Sequence, residues 1–173
     1  NGGGLTVSDN YGFGLVDAHA AVRLAETWTA QGTAANLETV TVNFGALTVD
    51  ILDNATVTET LTVSSNIEID HVEVELFLEH SWIGDLIVEL ISPDSTSSIL
   101  VNRPGFGDLG ELDGFIGIDF TLDSVQFWGE ESAGEWTLNV TDTDAGDVGV
   151  LKEWNLIIYG DLVSDDDTYI YTD

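Results

Sequence analysis

Apolar and polar residues alternate along this chain in two rhythms, and the change of rhythm divides it. Between residues 15 and 28 the apolar positions Leu15, Ala18, Val22 and Ala25 recur at spacings of three and four, which predicts one amphipathic helix. Asp17 stands at its start, where the helix dipole favours a carboxylate. A solitary helix of this length is marginal in water and needs a surface to cover. Residues 29–36 are small and polar and read as a linker.

Beyond residue 37 the period becomes two. Val40, Val42 and Phe44 alternate with polar neighbours, as do Val57, Leu61 and Val63, with a turn at Asp53 and Asn54 between the two runs. Apolar positions are odd at Ile67 and Ile69 and even from Val72 through Val74, Leu76 and Leu78. A strand changes parity only through a bulge or a break, so one is expected at Asp70 and His71. Residues 86–91 are apolar on both faces, which suits a covered strand, and Pro93 ends its ladder. Further strands are predicted at 98–101, 115–120, 136–140 and 151–159.

Short strands with turn signals and no helical period predict an all-β fold, an antiparallel β-sandwich or jelly roll preceded by one N-terminal α-helix. The expected organisation is a loop, helix and linker over 1–36, a β domain over 37–160, and an acidic tail over 161–173. That tail is either a linker to a further domain or an edge strand. The first residues lack the basic and apolar regions of a signal peptide, so the chain reads as cut from something longer.

Charge narrows the partners. Thirty-two acidic side chains against 3 basic ones give −29, which argues against nucleic acid and implies self-repulsion unless cations or salt screen it. The absence of cysteine excludes disulfides, thiolate catalysis and cysteine-ligated metals. No apolar run is long enough to span a membrane as a helix.

Calcium is the cofactor that the acids suggest, since it takes oxygens converging from loops. Asp142, Asp144 and Asp147 fall within six residues that also hold Gly146, though not in EF-hand order. A second group is Asp108, Glu111, Asp113 and Asp119, joined by Asp85. Without a metal, Asp85 would cap its own turn. In so acidic a chain such clusters also arise as solvated faces. His80 reads either as a ligand or as a strand-end histidine bonded to a neighbouring turn. Trp136 and Trp154 fall in predicted strands and read as core, Trp128 reads as core too, and Trp82 at a turn tip is the exposed aromatic anchor.

Two segments carry a resemblance. The stretch from His80 to Pro93, with Gly129-Glu130, Gly134-Glu135-Trp136 and Trp154, resembles the P domain of the kexin and furin subtilisin-like proteases. Val7-Ser8 and the run from Tyr11 to Ala18, followed by Ala21-Val22, Leu24-Ala25 and Trp28, are similar to the last loop and helix of the kexin-type catalytic domain. The resemblance implies a galactose-binding-like jelly roll acting as the non-catalytic P domain of a secreted, calcium-dependent subtilisin-like serine endopeptidase. Its partner would be its own catalytic domain, which it would stabilise and regulate. The turn around Asp142 to Gly149 is similar to one where bacterial P domains hold calcium. The family's nucleophile sits in a Gly-Thr-Ser context that this sequence lacks, so no catalytic residue is assigned. Trp82-Ile83-Gly84-Asp85 departs from furin-like chains, which carry a basic residue before Gly-Asp. The alternative is a jelly-roll binding module that targets an enzyme to a polysaccharide or protein polymer through Trp82.

Overall fold

The longest strand carries the irregularity that its apolar parity foretells. The computed structural model describes residues 1–8, 10–27, 36–105 and 117–163. In it β4 (Ile67–His80) pairs with β9 (Gly149–Leu162), and the register shifts between Ile69 and His71, leaving Asp70 as the extra residue. That one insertion returns Ile69 and Val72 to the same buried side. A second shift between Phe77 and Leu78 leaves Lys152 unpaired, because Phe77 faces Glu153 while Leu78 faces Leu151.

The remaining elements are α1 (Ala18–Ala25), β1 (Glu38–Asn43), β2 (Val49–Ile51), β3 (Thr56–Val63), β5 (Leu86–Ile91), β6 (Ser97–Asn102), β7 (Gly117–Ser124) and β8 (Gly134–Asp142). A single 3-10 turn, Ile83–Asp85, joins β4 to β5. One sheet runs β1-β9-β4-β7, with β2 also pairing with β9, and the other runs β3-β8-β5-β6. With β1 and β2 taken as one interrupted strand this is the jelly-roll order, antiparallel throughout.

The inward faces of both sheets share one apolar layer. Val72, Val74, Leu76 and Leu78 of β4 meet Leu86, Val88 and Leu90 of β5 and Trp136, Leu138 and Val140 of β8 in it. Trp136 and Trp154 are fully buried, as expected, and the Trp136 indole donates to the Ser132 carbonyl at 2.9 Å.

Several boundaries differ from expectation. The helix is shorter than 15–28 because the Asp17 carboxylate accepts from the backbone of His19 at 2.9 Å and Ala20 at 3.0 Å, which fixes Asp17 as the N-cap. None of its residues is buried, and Leu15 and Val16 before it are exposed. The strand expected at 115–120 runs to Ser124, paired with β4. Residues 161 and 162 are the end of β9, pairing with Glu68 and Ile67, so that much of the tail is neither linker nor a separate edge strand.

Candidate functional site

Four consecutive residues between β7 and β8 each take a different task. Phe127 turns inward, fully buried, with its ring edge-on to Trp136 at 5.1 Å. Trp128 turns outward and is 48% exposed, so the expectation that it is core is corrected, and it is more open than Trp82 at 36%. Gly129 takes φ +78°, a conformation that favours glycine, and donates its N–H to the Ile69 carbonyl at 2.8 Å. Glu130 is 1% exposed.

The N-terminal segment covers this corner. The Gly2 N–H donates to Glu130 Oε1 at 2.8 Å and to Thr96 Oγ1 at 3.2 Å, and Thr96 donates its hydroxyl to the same Glu130 oxygen. The Asn1 amide donates to the carbonyls of Trp128 at 2.8 Å and Gln126 at 3.0 Å. Phe13 meets the Trp128 ring edge-on at 5.5 Å. At Gly3 backbone approaches backbone so closely that a side chain is excluded, since a Cβ there would stand 2.6 Å from the Gly129 carbonyl, while a Cβ on Gly2 would collide with the Asp94 side chain. The consecutive glycines at 2 and 3 were the legible signal of such an approach.

At the other end of the sandwich the structure gathers four of the acids expected at metal sites. Asp85 closes the 3-10 turn, with Thr143 donating to its carbonyl from N–H at 3.0 Å and from Oγ1 at 2.6 Å. Burial first, and then the charges of Asp144 and Asp142, hold the Asp85 carboxyl above its ordinary pKa, with Asp147 adding to the effect and Arg103 opposing it. Arg103 lies between the loops, 3.8 Å from Asp85 and 3.6 Å from Asp144. Asp85 therefore faces a guanidinium rather than capping its own turn. Asp147 accepts from the Ser81 hydroxyl at 2.7 Å, and Asp53, read from sequence only as a turn residue, accepts from the Gly146 N–H at 3.0 Å.

His80 belongs to the same end. Its Nδ1 meets the Trp82 backbone, 3.0 Å from the carbonyl and 3.1 Å from the N–H, and its Nε2 stands 3.6 Å from Asp142 Oδ2. Both side chains are sealed from solvent, and neither of those two atoms has a hydrogen-bond partner. The strand-end reading of His80 is the one realised. Among the described residues no three His, Cys, Asp or Glu groups stand at metal-holding spacing. Asp119 does not join Asp85: it lies on β7, exposed and opposite Phe77. Asp108, Glu111 and Asp113 lie outside the described residues.

The described residues thus form a jelly roll that clasps a glycine-rich N-terminal segment at one end. The family model described as proprotein convertase P-domain matches residues 69–158, and the chain belongs to that family. It is 36% identical over 171 residues to proprotein convertase subtilisin/kexin type 6 of Rattus norvegicus and 35% identical over 167 residues to furin of Bos taurus. Each alignment covers 92% of this chain, a share not reached without most of residues 1–36, but only 18% and 20% of those relatives. Among solved structures, the serine protease of Aeromonas sobria superimposes with a TM-score of 0.75 at 26% identity, covering 92% of this chain and 32% of that one. The same protease in complex with a chaperone gives 0.78 at 25% identity, covering 94% of this chain and 33% of that one. The chain thus spans about a fifth to a third of the proteins it resembles, and the matched part is the non-catalytic domain associated with subtilisin-like proteases. No helix among the described residues is long and apolar enough to cross a membrane.

Proposed function

We propose that this chain is the P domain of a secreted subtilisin-like serine endopeptidase, carrying the last loop and helix of the catalytic domain, and that it stabilises and regulates that domain. The observation that carries the reading is the seam at Gly2 and Gly3, where the Gly3 backbone fills a glycine-sized slot against Trp128 and Gly129 and the Gly2 N–H bonds Glu130. A helix with no buried residue, held by a proper N-cap, fits a segment whose covering surface belongs to the rest of such a protease. In the intact parent, Gly3→Ala is expected to shorten the thermal half-life of peptidase activity several-fold while leaving kcat of the surviving enzyme unchanged. An unchanged half-life sinks the seam as the stabilising contact.

Calcium is the regulatory ligand that we assign to the end formed by Asp85, Asp142, Asp144 and Asp147. The donor chemistry fits: the carboxylates crowd one another, and the buried Asp142 Oδ2 has no partner. A cation there would replace the half-exposed Arg103 guanidinium and relieve the repulsion that raises the Asp85 pKa. Calcium should raise the melting temperature of wild type, by an amount set by its concentration over Kd, and do so far less for Asp144→Asn. Equal rises in both place the ion elsewhere.

A further inference from the structure

Among the described residues the two sheets have four edges, and the one formed by β7 is built unlike the rest. All eight residues of β7 pair with β4 in one unbroken register, from Gly117 opposite Glu79 to Ser124 opposite Val72. No described strand pairs with its far side, so every second residue turns its backbone N–H and C=O away from the sheet. The same register divides the side chains. Ile118, Phe120 and Leu122 share rows with Leu78, Leu76 and Val74 on the core-facing side, while Asp119, Thr121 and Asp123 face outward. Ile118 and Leu122 pack against the core, but Phe120 between them is 66% exposed.

The other edges each carry an interruption. On β3 it is Glu59, which stands in a core-facing row opposite the fully buried Leu138. On β6 a register shift between Val88 and Glu89 leaves Leu100 as an extra residue, so that strand is bulged. The edge formed by β1 and β2 is broken between Asn43 and Val49, where Gly45 takes φ +85°. An inward-pointing charge, a bulge and a short strand are devices that stop an edge from accepting a further strand. β7 has none of them: it is regular and alternating over its whole length, with a phenylalanine open on its core-facing side.

What β7 does carry is charge of one sign. Asp119 and Asp123, both exposed, flank Thr121 on its outward face, and Glu73 of β4 stands opposite Asp123. Such a row turns some strands away and admits others. A second copy of β7, paired antiparallel about Thr121, would set Asp119 against Asp123 twice, and like charges directly opposite are destabilising. The net charge of −29 opposes self-pairing further. A strand with basic side chains at every second position would instead meet Asp119 and Asp123, and its intervening apolar side chains would cover Phe120. We propose that the free edge of β7 docks an extended segment of a partner polypeptide in which basic and apolar residues alternate, joining the larger sheet as a further strand. Main-chain hydrogen bonds then supply affinity, and the two alternating rows supply specificity. This edge shares no residue with the seam or with the calcium end.

The test titrates the full 173-residue chain with a peptide of about seven residues alternating lysine and valine, at about 150 mM salt, where diffuse attraction is screened. Backbone amide shifts give the affinity, and hydrogen exchange gives the position. Without peptide, the amides of β7 that point away from β4 should exchange freely; with it they should gain protection, while the edges at β1, β3 and β6 stay unchanged. A peptide methylated on alternate backbone nitrogens keeps the charge and the apolar surface but cannot complete the ladder, and it should bind about tenfold or more weaker. Phe120→Ala should weaken the unmethylated peptide about threefold. Asp119→Lys with Asp123→Lys should turn the preference to the glutamate counterpart of the peptide, while Glu38→Lys with Glu135→Lys, the same change of charge elsewhere, should leave the lysine peptide preferred. Equal binding of the methylated peptide, an unreversed preference, protection on another edge, or β7 amides already protected without peptide would each overturn the proposal.

Discussion

The two sheets solve the same problem, a solvent-facing side, in opposite ways. On the smaller sheet β3 presents Thr56, Thr58, Thr60 and Thr62 outward, and these meet Thr141, Asn139, Thr137 and Glu135 of β8. Thr56 and Thr141 share a hydrogen bond of 2.9 Å, Thr58 donates to Asn139 at 2.8 Å, and Asn139 and Ser97 both donate to Glu89, at 3.0 and 2.5 Å. That face closes its hydrogen bonds within itself. On the larger sheet the corresponding positions of β4, β7 and β9 carry Glu73, Glu75, Asp119, Asp123 and Glu153, with Asn155 as the neutral bridge. The difference teaches that one face is held by hydrogen bonds closed across its strands, while the other crowds carboxylates around a single shared amide.

The largest expected effect tests what the sheets share. Trp136→Ala should cost about 3–5 kcal/mol in denaturant unfolding, since it opens the common apolar layer. The milder pair separates the two sheets: Trp136→Phe also strands the Ser132 carbonyl, whereas Trp154 Nε1 has no partner to lose. Trp136→Phe should therefore be the costlier by about 1 kcal/mol, and equal costs would break the distinction.

Next comes the contrast of the outer faces. Asn139→Ala removes bonds to both Thr58 and Glu89 and should cost about 1–2 kcal/mol. Glu75→Gln on the acidic face should leave stability within about 0.5 kcal/mol, because its neighbours repel it. A larger loss at Glu75 than at Asn139 would reverse the comparison.

The smallest effect is at Asp85. An acid whose folded pKa is raised takes up protons on folding, so its contribution to stability falls as pH rises from the unfolded value near 3.8 through the raised folded value. Above that window the full penalty is present. Asp85→Asn should accordingly raise the melting temperature by a few degrees at neutral pH without calcium and by nothing in acid below the window. A gain independent of pH would assign the effect to something other than the charge.

Much of the sandwich was legible because strand parity is a local property. Val72 to Leu78 is alternating, and its break against Ile67 and Ile69 located the bulge at Asp70. The same reasoning was available at Lys152, since Leu151 and Trp154 are both buried at a spacing of three, but a single odd gap near a strand end carries less weight than a change sustained over several residues. The short β2 escaped because three residues do not establish a period. Of the acids, Asp85, Asp142, Asp144 and Asp147 do come together, being held by two loops at one end of the sandwich. Asp53 and Arg103 join them from distant loops, and their approach depends on how the sheets stack, which no spacing encodes. Asn155 was invisible for the same reason: its meaning comes from Glu75, eighty positions away, across a ladder.

The slot over Gly129 has a bearing on how such proteins are recombined. Gly2 and Gly3 are complementary in shape to the corner formed by Asp94, Trp128 and Gly129, so either half alone is an incomplete joint. A chimera that grafts this β domain onto a foreign protease must bring Gly3 along, or cut upstream of it. A crossover placed in the linker, where modular exchange looks simplest, would mate a side chain with a cavity that has no room for one.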